Sequence, residues 1–462
     1  MSDVLQQIKE LENELSHYPS GYISRKMING KERFYLQWLE DGKLKSKYIK
    51  VDELETVRQS VEKRKELQER LKKLKATPDG MQDTNLKRKA VRNLQNITGY
   101  LMLEDRPIAQ IQGGSITEAD EELLPLYLKR TKNVQGWLAA RAIDPHRTNS
   151  RLLKKALRLR TTDDVQTALA VNAATVTDRY WFKPEGSRAV YEDIRFKENY
   201  FDQLALRGDP DSFSKKPSRT PELTNTGSFE KCWRLIDGKW WMYKNGNDAE
   251  YFSELFICKL GEKLGLDMAH YEMDGGYIRS LDFTDSARVN FEPMRSLVDD
   301  DEDYELCFHT LRDISSELAE QYLILIWMDS ICYNMDRHTE NFGLLRDVHS
   351  GQILSLAPNY DNNIALIAKG YPRDRARTSD GLIRYFREFI RDNPDVQEMY
   401  RTLDLPVITK EIIEECLCEI PYEVDREYIC DFILSGQQVV QDIIEQGEDI
   451  LEDDAPSMGL ML

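Results

Sequence analysis

Three side chains in the second half of the chain have types and spacing suited to chemistry. Asp336 is followed five positions on by Asn341, within Asn334-Met-Asp-Arg-His-Thr-Glu-Asn-Phe-Gly343, and Asp361 follows beyond a short apolar run. A carboxylate held in a loop can accept or orient the proton of an attacking hydroxyl, while an amide oxygen and a second carboxylate can share a divalent cation. That combination suits phosphoryl transfer, which asks little covalent chemistry of the protein and much placement of charge. The alternative is a polar loop capping a helix, with Asp336 and Asn341 as turn formers. It leaves the spaced Asp361 unexplained.

The flanking sequence predicts elements that would hold such a loop. Before it, Leu318, Tyr322, Leu325, Met328 and Cys332 recur at helical spacing, with Ser315 and Ser316 as caps, so a buried helix delivers the chain to the loop. After it, Phe342–Arg346 and Gln352–Ala357 read as two strands joined by a turn over 347–351. The second strand runs into Pro358-Asn-Tyr-Asp-Asn362, where Asp361 can point back at Asn341.

The pattern N-x-D-R-H-x-x-N-F-G, followed by L-A-P-x-[YF]-D-N, resembles the HipA-like serine/threonine kinases. The loop alone is also similar to the D-R-H-x-x-N of phosphatidylinositol kinases, and its spacing to the H-R-D-x-x-x-x-N of protein kinases. The resemblance covers residues of about 215–445, roughly half the chain. It implies an α+β, two-lobed protein-kinase-like fold that uses ATP and Mg²⁺. Asp336 would be the proton acceptor, Asn341 and Asp361 would hold Mg²⁺, and the γ-phosphate would pass to a Ser/Thr hydroxyl of a protein substrate. Some members are growth-arresting toxins restrained by a DNA-binding partner, so an antitoxin-like regulatory protein is a further expectation.

The rest of the machinery is sought upstream. Thr224-Asn-Thr-Gly-Ser-Phe-Glu-Lys231 precedes a predicted strand–turn–strand, a shape that can lay backbone N–H groups over phosphates. Thr226, Gly227 and Ser228 are therefore candidate ATP contacts, although one glycine departs from G-x-G-x-x-G. Lys244 ends the second strand, where a kinase places its phosphate-pairing lysine; a hydrated surface lysine is the alternative. Glu254 on the following helix is the candidate partner of Lys244, with Glu250 one turn earlier as competitor. Leu281–Thr284 falls where an adenine-holding hinge belongs. Lys369–Arg377 is a basic candidate for substrate or phosphate contact. The family's self-phosphorylation of a hydroxyl in the glycine loop maps best onto Thr224, whose alternative role is to cap the turn. Two other classes stay open: a lipid kinase, and a pseudokinase scaffold that has no need of the Asp336/Asn341/Asp361 set.

Length and charge bound the remainder. A chain of 462 residues suggests two or three domains. The expected division is 1–84, a basic β-meander with a charged helical arm; 85–215, a mixed accessory domain; 216–445, the kinase region, with lobes of about 216–282 and 283–445; and 446–462, an acidic tail. Net charge is −18, yet residues 1–100 carry 21 basic and 15 acidic side chains, a net of +6. The bulk of the protein should repel nucleic acid, while the basic, aromatic sheet over 21–50 could make weak nucleic-acid contact. A small solvated sheet packed on its following helix is the preferred reading. No apolar run is long enough to span a bilayer and the N-terminus is polar, so no membrane association or signal peptide is expected. Seven scattered cysteines without paired spacing fit neither a disulfide framework nor a zinc site, and point to a cytoplasmic setting. His146, within Asp144-Pro-His-Arg147, reads as structural.

Overall fold

The computed structural model describes residues 11, 14, 15, 18, 22–28, 31–40, 43–50, 53–75, 97–159, 163–299, 302–369 and 376–446. The chain is a mixed α+β protein that divides into two compact units, Met1–Asn96 and Ile97–Leu462. The second unit runs undivided through position 215. Residues 76–96, which span the expected boundary at 84, and the tail from 447 onward lie outside the described residues.

In the first unit Asn29-Gly30 and Asp41-Gly42, dipeptides that favour tight hairpin turns, fall in sequence between three strands, β1 (Tyr22–Ile28), β2 (Lys31–Glu40) and β3 (Lys43–Ile49). They pair antiparallel in the order β1-β2-β3, with Ile28 opposite Lys31 and Glu40 opposite Lys43. Leu36 and Ile49 bury against Val61 of helix α1 (Leu54–Lys75), so the sheet packs on its following helix. Lys45, Lys47 and Tyr48 are exposed.

Among the described residues the second unit carries three antiparallel sheets. One, in the order β6-β5-β4-β7, joins β4 (Gly99–Leu103), β5 (Arg106–Gln112), β6 (Ser115–Ala119) and β7 (Tyr180–Pro184). The next, β10-β11-β9-β8, joins β8 (Lys231–Ile236), β9 (Lys239–Lys244), β10 (Tyr271–Asp274) and β11 (Tyr277–Leu281). The last, β12-β13-β14, joins β12 (Val289–Pro293), β13 (Gly343–Asp347) and β14 (Ile353–Leu356). Between β6 and β8 the described residues include short helices as well as β7, and this stretch shares one core with the β8–β9 hairpin: Trp181 of β7, Phe201 and Leu204 bury with Cys232, Trp233 and Trp240.

Two helices aim the site. Helix α2 (Asp248–Lys263) starts at a capping box in which Asn247 accepts from Glu250 N–H and Glu250 accepts from Asn247 N–H. Its face Phe252, Phe256 and Leu260 enters the main core. After α3 (Tyr304–Ile314), α4 (Ser316–Cys332) is capped by Ser315 and buried on nearly every side, as a helix apolar all round must be. It ends at Tyr333 in a left-handed turn, φ 57°, that releases the chain into residues 334–341. Helices α5 (Gly381–Asp392), α6 (Pro394–Thr402), α7 (Lys410–Glu419) and α8 (Arg426–Gln446) follow, with Phe386, Tyr400, Ile413 and Ile433 completing the core around α4.

Candidate active site

The loop after α4 is shaped by its own polar side chains. Asn334 Oδ1 accepts from Asp336 N–H at 3.2 Å, and Asn341 Nδ2 donates to the Asp336 carbonyl at 2.8 Å. Among the described residues no hydrogen bond engages Asn341 Oδ1, which leaves an oxygen available to a cation. The residue between the two chemical groups, Arg337, faces inward. Its guanidinium forms a two-pronged pair with buried Asp329 of α4 (2.8 and 3.0 Å) and donates to the carbonyls of Asn341 and Tyr360, both at 2.6 Å. It also reaches Asn359 Oδ1 at 2.9 Å and Asn362 Oδ1 at 2.7 Å. One cation thereby ties the loop carrying Asp336 and Asn341 to the segment carrying Asp361.

Asp361 adopts φ 61°, a left-handed conformation that aspartate tolerates better than most residues. Its backbone N–H donates to the Tyr271 hydroxyl at 3.1 Å, and the next N–H, of Asn362, donates to Glu254 Oε1 at 2.9 Å. Lys244, at the end of β9, donates to Asp361 Oδ1 at 2.6 Å and lies 3.5 Å from Glu254 Oε2. Glu254 is fully buried behind it. Glu250 stands at the capping box instead, so the structure puts Glu254 beside Lys244. Burial works against the Lys244 charge, but Asp361 and Glu254 outweigh it and hold the ammonium well above the usual lysine range. Burial also opposes the charge on Asp361, yet Lys244 and then Lys231 hold its carboxyl below the ordinary value. For Glu254, burial prevails over Lys244 and raises it.

Lys231 carried no expectation from the sequence. It sits directly opposite Lys244 in the β8–β9 register, and two like charges so placed repel unless an anion lies near both. A Cβ built on Gly227 would come within 2.5 Å of the Lys231 ammonium, a contact the flexible lysine could relieve, whereas φ 91° itself favours glycine. Burial, opposed by Asp361 and reinforced by Arg147 and Lys244, lowers Lys231 to about 8.

One cavity of about 200 Å³ is lined by Asp336, Asn341, Asp361, Lys244 and Lys231, by the loop residues Thr224, Thr226, Gly227 and Ser228, and by Leu281, Asp282 and Phe283. The candidate catalytic, metal-binding and nucleotide-binding residues Asp336, Asn341, Asp361, Lys244, Thr226, Gly227 and Ser228 therefore converge with Thr224, and Glu254 lies behind Lys244. Thr226 and Ser228 are exposed, whereas Thr224 is buried and its hydroxyl donates to the Ala174 carbonyl at 2.6 Å. Of the basic candidate Lys369–Arg377, residues 370–375 lie outside the described residues, and Arg377 turns inward, donating to the carbonyls of Phe432 at 2.7 Å and Ser330 at 2.8 Å. His146 is exposed and bonded to Asp144, while its neighbour Arg147 is buried. Of the residues missed, Lys231 had a usable signal, since it flanks the glycine loop; Arg337 and Asp329 lacked one, because their pairing depends on the fold.

Among the described residues no group of three or more His, Cys, Asp or Glu could hold a metal. A cation at Asn341 and Asp361 would need further oxygens from a ligand, which matches the way Mg²⁺ is bound by one or two carboxylates with phosphates and water. No described helix is long and apolar enough to cross a membrane.

Residues 1–59 match a family described as a domain of unknown function (DUF6788). No curated protein matches the chain. Among solved structures it is similar to the Helicobacter pylori proinflammatory kinase CtkA, at 16% identity over 47% of this chain and 93% of that one, with a TM-score of 0.39. It is also similar to a chain of the Shewanella oneidensis MR-1 toxin–antitoxin complex of HipA, HipB and operator DNA, at 12% identity over 75% of this chain and 96% of that one, with a TM-score of 0.48.

Proposed function

We propose that the protein is an ATP- and Mg²⁺-dependent kinase that transfers the γ-phosphoryl group to a Ser/Thr hydroxyl of a protein substrate. The observation that carries this reading is the convergence of Asp336, Asn341, Asp361 and Lys244 on one cavity beneath the Thr226–Ser228 loop. Asn341 and Asp361 would hold Mg²⁺, which when bound neutralises charge on the β- and γ-phosphates. Lys244 would turn from Asp361 toward the phosphates, with Glu254 remaining behind it as its partner. The Asp336 carboxylate would orient the acceptor hydroxyl and take its proton as the phosphoryl group leaves ATP. Lys231 and the loop N–H groups would supply further positive potential.

A second cavity, of about 540 Å³, opens on the outer side of the catalytic loop and shares Asp336 and His338 with the first. Glu302, Asp303, Tyr304 and Tyr385 line it. Its carboxylates would repel an anionic inositol headgroup, which favours a polypeptide acceptor over the lipid-kinase alternative. The same reading includes self-limitation through Thr224. Phosphate there would break the Ala174 contact and place about −1.5 to −2 charges beside the site of ATP's own phosphates. A toxin role and an antitoxin-like regulatory partner complete it, resting on the motif resemblance. The test is incubation of purified protein with γ-labelled ATP, Mg²⁺ and a cell lysate, followed by identification of labelled proteins. Absence of label in protein and lipid alike, from folded protein that binds ATP, refutes the kinase reading in favour of a scaffold.

A further inference from the structure

The glycine loop is held from behind by a residue outside the region of motif resemblance. Arg147, fully buried, donates through Nη1 to the Asn225 carbonyl at 3.0 Å and through Nη2 to the Lys231 carbonyl. These carbonyls bound the loop on its two sides, so one planar guanidinium fixes the separation of its ends. Fully buried Glu222 lies 3.9 Å from Arg147 and extends the arrangement. Its Oε2 accepts from Asn225 Nδ2 at 3.0 Å; its Oε1 accepts from Trp233 N–H at 2.7 Å and Asn199 Nδ2 at 2.8 Å. Two more tethers come from the same accessory segment. Ile143 N–H donates to the Leu223 carbonyl at 2.8 Å, and the Thr224 hydroxyl donates to the Ala174 carbonyl at 2.6 Å.

We propose that Arg147 and Glu222 are positioning residues for the nucleotide: a buried clamp, with its arginine supplied by the accessory segment, that holds the Asn225–Lys231 loop closed over the phosphates. The proposal rests on the kinase reading for the identity of the ligand, but the clamp itself is a property of the loop. It gives the accessory segment a task in the site. An arginine–glutamate pair removed from water is costly to keep for stability alone, and here its hydrogen bonds converge on the ends of one exposed loop.

The test uses the full chain carrying Arg147→Lys, which keeps a basic side chain and loses the two-pronged geometry, with melting curves to establish folding. ATP affinity is read by titration with Mg²⁺–ATP, and loop exposure by chymotryptic cleavage after Phe229, with and without ATP. The clamp predicts about a tenfold loss of ATP affinity, expressed in KM more than in kcat, and faster cleavage at Phe229 that saturating ATP suppresses. Glu222→Gln should move both readouts the same way by less, and it decides the matter if Arg147→Lys does not fold. A purely structural role would lower the melting temperature, raise cleavage at many sites together and leave the affinity of the folded protein unchanged. That result, or wild-type cleavage and affinity in a folded variant, overturns the proposal. If the wild-type protein transfers no phosphate to any acceptor, the kinase reading fails while the Phe229 cleavage comparison still decides the clamp.

Discussion

Replacing Lys244 by methionine tests the centre of the site, because its ammonium separates the buried Glu254 carboxylate from the partly buried carboxylate of Asp361. At 2.6 Å from Asp361 and 3.5 Å from Glu254, the gross attractions are about 6 and about 5 kcal/mol with an effective dielectric near 20. Desolvation offsets most of this, so removing the cation should cost about 3–5 kcal/mol, chiefly through the unpaired charges left behind. Adding Asp361→Asn removes one of those charges. The double variant should therefore lose less stability than the two singles summed, by about 1–3 kcal/mol. Urea unfolding of the four proteins measures the coupling. Its pH dependence follows from the directions of the shifts. Asp361, held below its ordinary value, contributes stability present above about pH 4 and lost as pH falls through its folded pKa. Lys244, held above, contributes stability present below about pH 10 and lost as pH rises through its folded pKa. The coupling should thus hold from about pH 5 until Lys231, which also faces Asp361, loses its proton near about 8. A cost under about 1 kcal/mol for Lys244→Met, or simple additivity in the double variant, would refute the buried triad.

Asp336→Asn should lower phosphoryl transfer by about 10²–10⁴-fold while leaving ATP affinity and melting temperature near wild type, read by single-turnover transfer beside a binding titration. Because Lys231 is lowered to about 8, kcat/KM for ATP should fall as pH rises through that value and this ammonium loses its proton. Lys231→Arg, always charged, should flatten the profile; an unchanged alkaline limb would separate Lys231 from the phosphates. After incubation with Mg²⁺–ATP, mass spectrometry should find phosphate on Thr224 in the wild type and none in Asp336→Asn. Recovery of an active, unmodified peptide spanning 224–228 would end the self-limiting scheme.

The residues that carry the proposed chemistry were legible because each sits in a short local pattern. Asp336 and Asn341 share one loop, Asp361 closes the following hairpin, and Lys244 ends a strand predicted from the Asp237-Gly238 turn between two apolar runs. What holds them was not legible. Arg337 meets Asp329 through the left-handed turn at Tyr333, and reaches Asn359 and Asn362 only because β13 and β14 fold back. Arg147 meets the glycine loop across 78 and 84 positions, and its sequence neighbour His146, the more suggestive residue by type, is left in solvent. Arg377 read as a substrate contact because a basic run looks solvated in a linear chain; the structure buries it against Phe432 at 3.9 Å and gives its donors to carbonyls.

These three arginines share a physical reason. A guanidinium keeps its charge when buried and offers five donors in a fixed plane, so it can join backbone carbonyls of segments remote in sequence where lysine would lose its proton or its geometry. Local patterns mark the groups that face a ligand, since ligand chemistry constrains their type and spacing. The groups that fix those patterns in space are chosen by which carbonyls the fold leaves without partners. Arg337 answers the Asn341 and Tyr360 carbonyls, and Arg147 answers those of Asn225 and Lys231. In each case the satisfied carbonyls belong to residues that line the same cavity. Buried arginines that fasten such cavity-lining segments are therefore a structural marker of a site, one that becomes readable only after the chain has folded.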